Sequence, residues 1–161
     1  YHPDHRYTGV LVQDAAYMVI VPNVLSSVPP LPDNPLFLYV SDRFERPNPF
    51  RPDITIDISS VFSRKVDALD AHVSQFYEWL AWTEHDNSVP AGAADRKNWL
   101  TAKMQGYHAI NPATRATLEK WYGKDQAARA KQVESFEICE YGMGPTDADI
   151  LRLFPMLPRQ K

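Results

Sequence analysis

Ile54-Thr55-Ile56-Asp57-Ile58-Ser59-Ser60-Val61-Phe62-Ser63-Arg64-Lys65-Val66-Asp67-Ala68-Leu69 is the stretch in which the hydrophobic period changes most sharply. Its first five residues alternate apolar and polar, the pattern of a strand. From Phe62 onward the apolar positions Phe62, Val66, Leu69, Val73, Phe76 and Leu80 advance by alternating steps of four and three, so they share one face of a helix. Ser59 or Ser60 offers a side-chain oxygen where an N-cap is needed. A strand running directly into a long amphipathic helix is a building block of layered α/β folds.

The flanking sequence extends the pattern in both directions. Leu36-Phe37-Leu38-Tyr39-Val40 reads as a short buried strand, set between two proline-rich loops covering 22–35 and 42–52. Upstream, Val10, Leu11, Asp14, Ala15, Met18 and Val19 recur at mostly helical spacing, and this helix is expected to end by about Pro22. Downstream, residues 91–132 predict two or three amphipathic helices carrying Trp99, Leu100, Met104, Leu118, Trp121 and Tyr122, with Gly123 as a helix stop. Glu134 to Tyr141 reads as a last strand. Thr146, Asp147 and Asp149 mark the start of a short helix reaching Phe154, and the tail from Pro155 is expected to be loose. Strands alternating with helices predict an α/β fold with a largely parallel sheet. Only three candidate strands are visible, which leads us to expect that further strands precede Tyr1.

Composition narrows the function. The 161 residues suffice for one domain or a large part of one, and 44% hydrophobic with 23% charged residues is the balance of a globular chain. A net charge of −3, with Lys and Arg scattered, argues against a nucleic-acid or anionic-membrane binder. Cys139 is the single cysteine. It excludes an internal disulfide framework and a cysteine-rich zinc site, and it favours a reducing, cytoplasmic location. Any metal must then be held by His, Asp or Glu. The most apolar run, Ala15 to Val21, is far shorter than the roughly 20 residues that span a bilayer, so no transmembrane segment is expected. A signal peptide would lie ahead of Tyr1.

The densest chemistry lies in His2-Pro3-Asp4-His5-Arg6. Pro3 suits the first turn of a helix, where its missing N–H has no intrahelical partner, and Asp4 complements the positive dipole end. His2 and His5 then sit three apart at a loop-to-helix junction, on nearly the same side. Two imidazoles so placed can aim at one small region, with Asp4 orienting a ring through its other nitrogen. Spacing alone leaves a second reading open, a capped helix start that happens to contain two histidines.

This segment, followed by Thr8, Gly9 and Asp14-Ala15-Ala16, resembles the second signature of the PIG-L/LmbE family of deacetylases. The likeness continues in register through Asp57-Ile58, Lys65, Ala68-Leu69 and Ala71-His72-Val73-Ser74-Gln75. The Glu134-Ser135-Phe136-Glu137 to Tyr141-Gly142 strand and the ending at Leu151 to Pro155 are similar to a bacterial branch of the family. The first motif is specific and the later ones supportive; together they cover nearly the whole chain in pieces.

The resemblance implies a Rossmann-like layered fold, incomplete at its N-terminus, with extra C-terminal helices. Residues 1–161 would form the C-terminal part of a single deacetylase domain, in which 81–132 is a helical elaboration or lid. It further implies that His5 binds zinc, or another divalent metal, and that His2 is not a ligand. His2 would face the reacting carbonyl, steadying the oxyanion or protonating the leaving amine, with Asp4 tuning the pair. The other two ligands and the general base would come from a His-Pro-Asp-Asp-Glu type segment in an N-terminal half of the same polypeptide. No such segment exists in these residues, so this chain alone is expected to be inactive. The implied substrate is a small-molecule conjugate of N-acetylglucosamine.

Other residues carry two readings each. His72 flanks the apolar stripe, as a packed core histidine or as a pocket residue. Arg6 opposes the helix dipole, so it meets either a carboxylate or substrate. Trp79, Trp82, Trp99 and Trp121 lie at helical spacings as core, with one or two available as a sugar-stacking wall. His85 and His108 read as surface residues, and Glu134, Glu137 and Glu140 do not read as a metal site. Against the hydrolase stand two competing assignments, a non-catalytic sugar-binding module and a structural α/β module.

Overall fold

The computed structural model describes residues 2–158. Tyr1 and 159–161, the last stretch of the tail expected to be loose, lie outside the described residues. The elements are α1 (Pro3–Met18), β1 (Leu38–Val40), β2 (Ile54–Asp57), α2 (Phe62–Asp70), a π-helical segment (Ser74–Trp79), α3 (Leu80–Thr83), α4 (Ala93–Tyr107), α5 (Pro112–Tyr122), α6 (Lys124–Ala127), β3 (Val133–Ile138) and α7 (Asp147–Leu153). They divide into two compact units, one formed by residues 1–54 with 136–161, the other by residues 55–135.

The sheet corrects the expected fold class. It has three strands in the order β1-β3-β2. β1 runs antiparallel to β3, with Leu38 opposite Ile138 and Val40 opposite Phe136. Ile58 N–H donates to Gln132 O and Asp53 N–H to Phe136 O, the descending register of a second antiparallel pair. The chain is helix-rich around this small sheet, and no largely parallel Rossmann-like sheet is present among the described residues. Two physical reasons account for the difference. A parallel pair needs a crossover that carries the chain back to its starting end, and the proline-rich loop between β1 and β2 contains no helix. The helical excursion after β2, for its part, returns to the sheet end that it left. Alternation of strands and helices records that helices intervene, and is silent on where the chain re-enters.

In the unit of residues 55–135, that return is held by side chains as well as backbone. Ser59 Oγ accepts from the N–H groups of Lys131 (2.8 Å) and Gln132 (3.2 Å) and donates to Asp57. Neither Ser59 nor Ser60 caps α2, whose N-cap residue is Val61 with no side-chain cap bond. Thr55 and Ser135, both buried, satisfy each other across the strands through their hydroxyls at 3.1 Å. Leu118, Ala127, Ala130 and Val133 form a core cluster, flanked by Ile110 and Tyr122. The two or three helices expected over 91–132 are three, α4, α5 and α6. α5 starts on an Asn111–Thr114 capping box with Pro112 in its first turn and stops at Gly123, whose φ of 74° lies in the region that favours glycine.

The long amphipathic helix expected over 62–80 is broken. α2 ends at Asp70, the chain passes through Ala71 and His72, and Ser74–Trp79 then winds as a π-helix. A π turn holds more residues than an α turn, so the buried face slips along the sequence. Phe62 and Val66 are buried as the stripe requires, but Val73 is exposed, and Tyr77 and Ala81 are buried in place of Phe76 and Leu80. Tyr77 holds the new register: its hydroxyl donates to Asp70 at 2.6 Å, Arg96 lies over its ring and Trp99 packs 6.0 Å away. Burial and the Asp70 carboxylate push the Tyr77 hydroxyl up to about 12.

In the other unit, Tyr39 ties α1 to the strands. Its hydroxyl accepts from Gln13 (2.9 Å) and from Cys139 Sγ (3.2 Å) and donates to Glu140 (3.1 Å). Burial, with the Cys139 and Glu140 side chains beside it, holds its phenol well above the usual range. α7 begins on the Thr146–Asp149 capping box. Beyond it, Leu157 is buried and donates its N–H to Phe154 O, so the tail is anchored as far as that residue. At Gly142, an added Cβ would lie 2.6 Å from Pro35 O and 2.7 Å from a Phe37 ring carbon.

Gly142→Ala is therefore expected to destabilise its unit by about 1–3 kcal/mol, the usual range for overpacking, read as a lower urea midpoint. The register slip makes a paired prediction: Val73→Ala should shift stability by at most ~0.5 kcal/mol, and Tyr77→Ala should cost about 3–5 kcal/mol. Equal losses in urea melts would place the slip elsewhere.

Candidate functional site

The His2–Arg6 segment forms the start of α1. Pro3 occupies the first helical position, and the His2 carbonyl receives the N–H groups of His5 (3.1 Å) and Arg6 (3.3 Å). The N-cap is His2 itself, in extended conformation, with its Nδ1 accepting from the Asp4 N–H at 3.2 Å. Imidazole thus does what Ser or Asn does at other helix starts, satisfying a backbone donor that would be orphaned. The Asp4 carboxylate lies 3.6 Å from the same nitrogen, beyond hydrogen-bond range.

This bond decides what the ring can offer. A neutral imidazole has one N–H and one lone pair, so an Nδ1 that accepts leaves the proton on Nε2. His2 accordingly presents a donor outward. The His5 ring lies 5.8 Å away, centroid to centroid, tilted by 47°, close enough for both rings to address one ligand-sized volume. Both histidines and Asp4 are exposed. Arg6 places its guanidinium 5.0 Å from the centre of the Tyr7 ring, an aromatic partner where the sequence suggested a carboxylate or substrate.

His72 belongs to the other unit, exposed at the break between α2 and the π-helical segment, where its carbonyl accepts from Gln75 and Phe76. The packed-core reading does not describe it. Among the described residues, no three His, Cys, Asp or Glu side chains converge as a metal site, and no helix is long and apolar enough to cross a membrane. His5 therefore needs further donors to hold a metal. The donor chemistry fits such a role, since imidazole is a good ligand for zinc and related divalent ions.

Two features went unread in the sequence. Trp79 and Trp82, expected mostly as core, are 52% and 69% exposed, with rings stacked at 5.5 Å. Together with Ser74 and Glu78 they line a cavity of about 540 Å³. The signal was present: positions 79 and 82 fall off the four-three stripe. His108, expected at the surface, is half-buried with Nδ1 3.0 Å from Val133 O; burial pulls its imidazole below the ordinary histidine value. The Trp121 assignment as core stands, at 4% exposure.

No protein-family model and no solved structure matches the chain.

If Nδ1 of His2 starts α1, His2→Ala should speed amide exchange in the first turn about fivefold, the effect of losing roughly 1 kcal/mol of cap, whereas His2→Asn should preserve protection. Identical exchange in both variants would remove the cap.

Proposed function

We propose that this chain contributes part of the active site of a zinc-dependent de-N-acetylase acting on N-acetylated amino sugars, with His5 as a metal ligand and His2 as a hydrogen-bond donor to the reacting amide. The observation that carries the reading is the His2 cap. Its lone pair on Nδ1 is committed to Asp4 N–H, so the ring is set up to donate from Nε2 rather than to ligate. His5 is the ring of the pair suited to the metal. That division matches the one implied by the resemblance of His2-Pro3-Asp4-His5-Arg6 to the PIG-L/LmbE signature.

In the reaction, the amide C–N bond breaks, the oxygen of water joins the acetyl carbon, and acetate and a free amine leave. Zinc, when bound, supplies Lewis acidity to the acetyl carbonyl and to water. His2 Nε2–H stabilises, by donating a hydrogen bond, the charge that develops on the acetyl oxygen. Asp4, 3.6 Å from Nδ1, adds a carboxylate beside the ring on the same first turn. Arg6 lies on the same first turn for contact with substrate.

The remaining ligands and the base belong, in this reading, to a His-Pro-Asp-Asp-Glu type segment elsewhere in the polypeptide. The surface of α1 supports this assignment. Tyr7, Val10, Leu11 and Met18 are exposed, Leu11 by 67%, an apolar face suited to further polypeptide. The buried single thiol, Cys139, fits a reducing, cytoplasmic location. A second reading, a sugar-binding module without chemistry, draws support from the exposed Trp79–Trp82 pair.

The test uses the full-length polypeptide. Metal analysis should find one zinc per chain, lost in His5→Ala. His2→Asn, which keeps the cap, should retain zinc while amide hydrolysis of an N-acetylglucosamine conjugate falls about 10²–10⁴-fold. Full zinc occupancy in His5→Ala would end the assignment.

A further inference from the structure

The unit of residues 55–135 carries an exposed cluster that shares no residue with the His2–Arg6 segment. Ser74, Glu78 and Trp82 recur every fourth residue, and Trp79 stands beside them, so that one side of the π-helical segment and α3 presents a hydroxyl, a carboxylate and two indoles around the 540 Å³ cavity. That volume lies within the roughly 300–1,000 Å³ of small-ligand pockets. π-helical turns are rare and occur often at functional sites. Here the turn has a definite effect. It shifts the buried register to Tyr77 and Ala81, while both tryptophans lie off the buried face.

Leaving two indoles in water is costly, because each carries a large apolar surface. Glu78 and Ser74 add polar groups at the rim, and among the described residues Glu78 forms no ion pair and Ser74 no side-chain hydrogen bond. The ligand class follows from three constraints. Near-parallel rings at 29° and 5.5 Å leave no gap between them for a guest, so a ligand lies flat on an outer face. Their faces are not turned toward one point, as an aromatic cage for a quaternary ammonium requires. A carboxylate at the edge of the apolar surface opposes insertion into lipid, above all anionic lipid. A flat ligand with one C–H face and a rim of hydroxyl donors meets all three constraints.

We propose that Trp79, Trp82, Glu78 and Ser74 form a saccharide-binding platform. A pyranose ring stacks its C–H face on the exposed indole of Trp82. Adjacent hydroxyls donate to the Glu78 carboxylate, a charge-assisted contact, and Ser74 Oγ completes the rim. The site stands on its own residues, so it survives a failure of the zinc assignment and fails without affecting it.

The experiment titrates the full chain with cellobiose, with N,N′-diacetylchitobiose and, separately, with tetramethylammonium chloride, following tryptophan emission and saturation-transfer NMR of the ligand protons. A saturable emission change is expected with at least one disaccharide, with transfer strongest to the C–H protons of one ring face. Trp82→Ala should weaken binding about tenfold or more, and Glu78→Gln about three- to tenfold. Trp99→Phe, whose ring lies outside the platform, should leave affinity unchanged. Should Trp82→Ala fail to fold by circular dichroism, Trp82→Leu keeps apolar volume without the aromatic face and should show the same loss. The proposal is overturned if neither disaccharide saturates, if binding survives both Trp82 variants, or if only tetramethylammonium binds.

Discussion

The backbone hydrogen bond from Ile58 N–H to Gln132 O closes the helical excursion onto the strand from which it departed. Everything between those two residues, α2 through α6, is constrained to leave and return at one end of β2. β3 must therefore run back against β2. The closure is reinforced where backbone alone would leave donors exposed, because the N–H groups of Lys131 and Gln132 find a hydroxyl acceptor in Ser59. Buried strands then need their polar side chains matched, which Thr55 and Ser135 do for each other.

Within the excursion, the decisive local event is the change of winding at Ser74–Trp79. A continuous α-helix would have kept Phe76 and Leu80 on the inner face. The π turn replaces them with Tyr77 and Ala81, and Tyr77 is suited to the exchange because Asp70, Arg96 and Trp99 meet it.

Much of the local structure was legible because it rests on short-range chemistry. Pro3, Gly123 and Thr146 act within a turn of their own positions, and each marks a helix boundary seen in the structure. Strand direction was not legible, because it depends on where Gln132 meets Ile58, a contact between residues far apart in sequence. The winding of Ser74–Trp79 was hidden for a related reason: apolar spacing through Leu80 is that of an ordinary helix, and only the polar anchor at Asp70 favours Tyr77. At the candidate site, the spacing of His2 and His5 predicted shared space, and the 5.8 Å ring separation agrees with it. Which nitrogen of His2 is engaged was absent from spacing and from composition; it depends on the cap bond from Asp4 N–H to Nδ1. His108 was missed because nothing local signals that the end of α4 lies against Val133.

Ser59 has one further consequence. A serine two residues from an aspartate invites a reading as an acyl-accepting nucleophile. Its oxygen has no capacity left for that chemistry. The proton is given to Asp57 and both lone pairs are taken by Lys131 and Gln132, so attack on a carbonyl would first require the return of the excursion to come apart. Covalent catalysis through this hydroxyl is incompatible with the folded unit.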